Sequence, residues 1–132
     1  MQWLIDLVIE AIGVPPCYVN RPDFVGEWLN PGDDFNTNNV FAVDFSPVVP
    51  AGAKAVIFRL RAENTVAGLK VFGTKHGEGI GPGHCIFSPP IANLIERSML
   101  TLGCDEDGKC DLQAEPGGFW SNVGISPRGW IL

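Results

Sequence analysis

The chain has 132 residues, the length of one domain, and its 45% hydrophobic content excludes a disordered chain. Sixteen glycines and eleven prolines are too many for a helical protein and favour short strands joined by tight turns. The net charge of −6 argues against a nucleic-acid partner, because phosphate binding needs a basic face. An acidic surface suits a protein that is present in many copies and must stay soluble before assembly.

Residues 1–16 are predicted to form an N-terminal helical arm that ends at Gly13 and Pro15. Apolar residues at helical spacing give it one apolar stripe: Trp3, Leu4, Leu7, Val8 and Ala11. Either this amphipathic helix folds over an open end of its own domain, or it docks on a neighbouring subunit. We favour docking, because the stripe is wider than one domain edge needs, and therefore expect these five residues to form an assembly interface.

The same arm does not have the features of a secretory signal. It lacks a basic first region, and Asp6 and Glu10 interrupt its apolar run. No stretch of the sequence approaches the roughly 20 apolar residues that a membrane span requires. We therefore expect synthesis in the cytoplasm without a signal peptide, and the four cysteines then carry no expectation of a disulfide framework.

Residues 17–39 are predicted to be an irregular extended segment, because prolines, glycines and a polar run alternate within it. A long loop in a small domain usually serves function or an interface. The remaining residues, 40–132, are predicted to form the folded domain.

The strongest strand signal lies between Val49 and Arg61. Val56, Phe58 and Leu60 fall on one face, and this period of two indicates a strand with one side on a core. Shorter strands are predicted at 40–45, 67–72, 85–87, from about 97 onward, and at 119–125. About eight strands with turn signals at this spacing predict a mainly β fold: a two-sheet β-sandwich, jelly-roll-like rather than immunoglobulin-like.

The turn at residues 106–108 predicts a hairpin in which Gly108 supplies the left-handed residue. That register sets Cys104 opposite Cys110 and Leu102 opposite Leu112. The two cysteines are then either small buried hydrophobic residues or a disulfide formed after lysis. Zinc needs two further ligands at a recognised spacing, and the sequence offers none nearby.

His76 and His84 flank a glycine-rich loop, but neither follows the spacing of a metal motif or a catalytic triad. The loop lacks the helix and the Lys-Ser/Thr pair of a phosphate-binding loop. We therefore predict no enzyme activity, no bound metal and no cofactor.

Three tryptophans leave a second function open. Trp28, Trp120 and Trp130 would stack on sugar rings if they were exposed on one face, as in a carbohydrate-binding sandwich, so a glycan partner is the alternative. They serve equally well as core or interface anchors.

Three segments carry a resemblance to a known family: P-A-G-A-K-A-V-I-F-R-L at 50–60, D-E-D-G-K at 105–109 and G-I-S-P-R-G-W at 124–130. Together they resemble small β-sandwich proteins of tailed-phage virions, which decorate heads or sit on tails. The resemblance covers roughly the last two-thirds of the chain. It implies a structural, non-enzymatic protein located in the virion, such as a capsid decoration or tail-associated subunit. Its partners would be other copies of itself and other virion proteins.

Overall fold

The computed structural model describes residues 17–18 and 28–132, with side chains from residue 28 onward. The described part is mainly β, with one four-residue helix, α1 (Gly32–Phe35), and a short 3-10 turn at Pro82–His84. Its strands are β1 (Cys17–Tyr18), β2 (Phe41–Asp44), β3 (Ala55–Asn64), β4 (Val71–Lys75), β5 (Cys85–Phe87), β6 (Glu96–Gly103), β7 (Lys109–Ala114) and β8 (Trp120–Ile131). The predicted helical arm, residues 1–16, lies outside the described residues.

The strands form two antiparallel four-stranded sheets, with the orders β1-β8-β3-β6 and β2-β7-β4-β5. The pairing is nested: β4 pairs with β5, β3 with β6, β2 with β7 and β1 with β8. Two further pairings, β3 with β8 and β4 with β7, join these strand pairs into the two sheets. The chain is therefore one long antiparallel hairpin that is rolled into two facing sheets.

Strand β3 has one buried face, as its sequence predicts. It lies between β8 and β6, and its residues alternate strictly between buried and half-buried. Val56, Phe58 and Leu60 are fully buried in the core, whereas Arg59 and Arg61 lie on the outer face. The period of two arises because successive side chains of a strand point to opposite faces of the sheet.

Residues before 40 contribute to the same core. Phe35 of α1 is buried, and its ring packs edge-on against Trp120 with centroids 5.7 Å apart. The backbone of Leu29 forms an isolated bridge with Ile125. The segment 17–39 thus contains a strand, a bridge and a helix, although its composition predicts irregular structure. The division of the chain at residue 40 stays a prediction.

Strands β4 and β8 differ from their predicted bounds. β4 starts at Val71, not at 67, because Gly68 has a left-handed φ of 80° and turns the chain first. β8 runs on to Ile131 through Pro127, which lacks a backbone donor. A register shift between Ile57 and Phe58 of β3 accommodates that proline, as is usual for proline within a sheet.

The predicted hairpin between β6 and β7 is correct only at its turn. Gly108 has φ of 79°, and the N–H of Asp105 donates to the carbonyl of Lys109. Beyond this turn the two strands separate into different sheets, so Leu102 pairs with Val56 and Leu112 with Phe41. The sequence pattern does not distinguish the two arrangements, because a hairpin in one sheet and a corner between two sheets both bury Leu102 and Leu112.

Candidate assembly surface

The nested strand pairing gathers alternate loops at each end of the sandwich. The connections β3–β4 (65–70), β5–β6 (88–95) and β7–β8 (115–119) all lie at one end, which we call the apolar loop end. The connections β2–β3, β4–β5 and β6–β7 lie at the opposite end, beside Ile131. Successive strands of an antiparallel pair run in opposite directions, so this grouping follows from the topology.

Asn64, the last residue of β3, ties the three loops of the apolar loop end together. It is 1% exposed, its side-chain oxygen accepts from the N–H of Val66 at 2.8 Å, and its amide nitrogen donates to the carbonyl of Gly117 at 3.3 Å. Its own carbonyl accepts from the N–H of Asn93 at 2.8 Å. Asn64 therefore connects all three loops, two through its side chain and the third through its backbone carbonyl.

The loops held by Asn64 carry four large apolar side chains that are about half exposed. They are Val66 (45%), Ile91 (57%), Leu94 (49%) and Phe119 (58%). The backbones of Thr65 and Phe119 are hydrogen-bonded, and the position of a Cβ on Gly118 would lie 2.9 Å from a Val66 methyl carbon. The four side chains therefore lie on neighbouring loops at the same end of the sandwich. Exposed apolar side chains grouped in this way are typical of an interaction site.

This surface was not predicted from the sequence. Each of the four residues lies next to turn residues, and Phe119 directly follows Gly117 and Gly118. An apolar side chain within a turn does not belong to the alternating pattern of a strand. Such residues were the available sequence signal for an exposed apolar surface. The local sequence does not indicate that three separate turns meet at one end of the sandwich.

We expect Asn64→Ala to lower the free energy of unfolding by about 1–3 kcal/mol, because the N–H of Val66 and the carbonyl of Gly117 lose their buried partner. Urea denaturation measures the change. Asn39→Ala, at an exposed asparagine, is the matched control and should leave the midpoint unchanged. Equal midpoints for both variants would show that Asn64 does not hold the loops.

The opposite end of the sandwich, which we call the polar end, carries several charged side chains. An open cleft of about 390 Å³ is lined there by residues that include Asp44, Glu106, Asp107 and Lys109. The backbone N–H of Ser46 donates to Asp44 and holds the pKa of that carboxyl below its ordinary value. The two ends of the sandwich thus differ in the side chains that they expose.

One histidine has a buried carboxylate partner that the sequence did not reveal. Nδ1 of His76 lies 2.7 Å from Oδ1 of Asp111, and the N–H of Gly77 donates to Oδ2 of the same residue at 3.1 Å. Asp111 comes from β7, 35 residues further along the chain. These contacts anchor the start of the glycine-rich loop. Neither His76 nor His84 lines the cleft beside Asp44 or the smaller cleft beside Ile80.

Cys104 and Cys110 are free thiols in the described structure, and both are buried. The thiol of Cys104 donates to the carbonyl of Ala53, and that of Cys110 to the carbonyl of Gly103, each at 3.3 Å. Burial raises the pKa of both thiols, and the nearby Cys104 raises that of Cys110 further. Within residues 28–132 no group of three or more His, Cys, Asp and Glu residues has metal-binding geometry.

This burial predicts a loss of stability in alkali. An unfolded thiol ionises near pH 8.5, while folded Cys110 stays protonated to much higher pH, so stability is complete below about pH 8.5 and falls above it. Cys110 alone contributes a slope of about 1.4 kcal/mol per pH unit there. Under reducing conditions, we expect the unfolding free energy of Cys110→Ala to depend less steeply on pH between 8.5 and 10.5. Cys85→Ala, at an exposed thiol, should keep the parent slope, and identical slopes for all three proteins would contradict the prediction.

The three tryptophans do not form an exposed platform. Trp120 is 1% exposed, and its indole N–H donates to the carbonyl of Glu115, so it is a core residue and cannot stack on a sugar. Trp28 and Trp130 are half-buried against the core, and the ring of Trp28 stacks on Phe45 at 5.7 Å. The predicted glycan-stacking role of Trp120 is therefore wrong, since a sugar needs an open aromatic face.

Comparisons with known proteins add little to this geometry. No protein-family model and no curated protein matches the chain. Solved structures with some likeness include the dimeric latent PorU of Porphyromonas gingivalis (12% identity, TM-score 0.41, 89% of this chain and 12% of that one). A second is the isomalto-dextranase of Arthrobacter globiformis T6 complexed with panose (17% identity, TM-score 0.37, 70% of this chain and 15% of that one). A third is the Tobacco streak virus coat protein (14% identity, TM-score 0.36, 89% of this chain and 83% of that one).

The chain thus spans only a small part of the first two proteins and most of the third. Scores at this level carry no inference about this protein's function. Within the described residues, no helix is long and apolar enough to cross a membrane.

Proposed function

We propose that this protein is a structural subunit of a virion that acts through contacts with other copies of itself and with other virion proteins. The observation that carries the proposal is the apolar loop end, where four half-exposed apolar side chains are fixed around the buried Asn64. A surface of this kind is suited to burial against protein, because removing apolar area from water is the main favourable term in association.

The nested strand pairing supports a jelly-roll assignment for the sandwich. A jelly roll has eight strands in two sheets, and rolling up one long hairpin produces the pairing seen here. The fold alone does not specify a role, because one fold hosts many functions. The assignment to a tailed phage, as a capsid decoration or tail-associated subunit, rests on the sequence resemblance and is part of the proposal.

A non-enzymatic role belongs to the same proposal. His76 has a carboxylate partner that could orient it as a general base, but this pair lines neither of the two clefts, where a substrate would bind. Its contacts with Asp111 and Gly77 give it a structural task, which is to hold one end of the glycine-rich loop.

Native mass spectrometry of the purified full chain over a range of concentrations tests the proposal. We expect closed or extending oligomers whose population grows with concentration. A protein that stays monomeric at every concentration and binds immobilised glycans would instead support the carbohydrate-binding alternative. Trp28 and Trp130 are the half-buried tryptophans available for that role.

A further inference from the structure

We infer that the apolar loop end of one subunit is the docking site for residues 1–14 of a second copy. This inference rests on the proposed function, since it names the contact through which the subunits assemble. Two independent features support it: the chemistry of the two surfaces and the positions at which they lie on the sandwich.

The first feature is chemical match. Val66, Ile91, Leu94 and Phe119 offer branched aliphatic and aromatic side chains on a frame that Asn64 fixes. Residues 1–14 carry an apolar stripe at helical spacing, with Trp3, Leu4 and Leu7 as its largest members. An amphipathic helix laid on an apolar surface is a recurring mode of peptide recognition. A helix of this length is marginal alone in water and needs such a surface.

The second feature is distance. Cys17 of β1 pairs with Ile131, so the chain enters the sandwich at the polar end. The apolar loop end lies beyond Trp120, at the other end of β8. Because of the two register shifts, β8 from Trp120 to Ile131 lies alongside nine residue steps of β3, which span about 30 Å at the rise of a β-strand.

A helix of fourteen residues is only about 21 Å long. The three residue steps from Val14 to Cys17 add about 10 Å, so only the tip of the arm comes level with the apolar loop end of its own subunit. Its apolar stripe cannot lie along that end, whereas the apolar loop end of a second copy has no such restriction. The resulting contact is head-to-tail: the arm, which begins at the polar end of one subunit, binds the apolar loop end of the next. Contacts of this kind generate rings when the rotation closes and extended arrays when it does not.

Mixing two defective full-length variants tests the inference. Leu7→Asp places a charge in the arm and leaves the apolar loop end intact; Phe119→Asp does the reverse. Each variant alone is expected to be monomeric, because every head-to-tail contact needs one intact arm and one intact loop end. Mixed in equal amounts, they are expected to form a 1:1 heterodimer that does not grow, which native mass spectrometry resolves by the mass difference.

Met99→Asp is the matched control, because Met99 is 54% exposed but lies on β6, away from the loops. It should assemble like the parent protein. Ile91→Asp provides a second loop-end variant and should behave like Phe119→Asp. Thermal unfolding of each variant confirms that the monomers are folded.

The possible results separate the inference from the proposed function. If Leu7→Asp still assembles, the loop ends pair with one another or another surface is used, and the inference is wrong. If both variants are monomeric and do not combine, the arm acts within its own subunit, and the inference is again wrong. An oligomeric parent protein leaves the proposed structural function standing in both cases, whereas a monomeric parent overturns the proposed function itself.

Discussion

Trp120→Ala is expected to lower the free energy of unfolding by about 3–5 kcal/mol, the usual cost of removing a large buried aromatic side chain. Trp120 is 1% exposed and packs edge-on against Phe35. Its indole N–H donates to the carbonyl of Glu115 at 3.0 Å, and truncation leaves that carbonyl without this partner. Because small domains are stable by only about 5–15 kcal/mol, the loss removes a large share of the total.

The neighbouring residue supplies the control. Phe119 is 58% exposed, so Phe119→Ala should change the unfolding free energy by less than about 0.5 kcal/mol while it weakens assembly. Guanidinium denaturation of both variants measures the contrast. Similar losses of stability for the two variants would show that Phe119 is buried in the subunit and that the apolar loop end is part of the core.

Deletion of residues 1–39 is expected to abolish cooperative folding, whereas deletion of residues 1–14 should leave the sandwich folded. The longer deletion removes Phe35 from the core and opens a cavity beside Trp120. It also removes Asn36, whose amide group both accepts from the N–H and donates to the carbonyl of Trp120 at 2.9 Å. Together these losses exceed about 5 kcal/mol.

Circular dichroism and one-dimensional NMR distinguish the two truncations. We expect the widely dispersed amide chemical shifts of a folded protein for the chain that starts at residue 15. For the chain that starts at residue 40, we expect the narrow dispersion of an unfolded protein. A folded chain from residue 40 onward would place the domain boundary where composition alone predicts it. An unfolded chain from residue 15 onward would mean that the arm belongs to its own core.

Much of the fold is predictable from local pattern. The alternation of Val56, Phe58 and Leu60 predicts a strand with one buried face, and Gly108 predicts a left-handed turn residue; the structure has both. What the pattern cannot supply is the sheet to which a strand belongs. The β6–β7 connection contains a correct turn and still crosses between sheets, because pairing with β3 and with β2 is decided by contacts far apart in sequence.

The candidate site was less predictable than the fold. Sequence reasoning placed the interaction surface in the arm, outside the described residues, and placed Trp120 on a possible sugar platform. The structure buries Trp120 and exposes Phe119 beside it, because the strand starts at 120 and its first side chain points inward. A shift of one residue exchanges the two faces of a strand, so such assignments depend on register.

Quantitative mass spectrometry of purified virions, joined to an electron-microscopy reconstruction of the same particles, tests directly whether the protein is a virion subunit. We expect many copies per particle, at symmetry-related positions, with density for the eight-stranded sandwich. We also expect the apolar loop end of each copy to be covered by a neighbouring subunit. Absence of the chain from purified virions, with the protein recovered only as a free monomer, would contradict the proposed function.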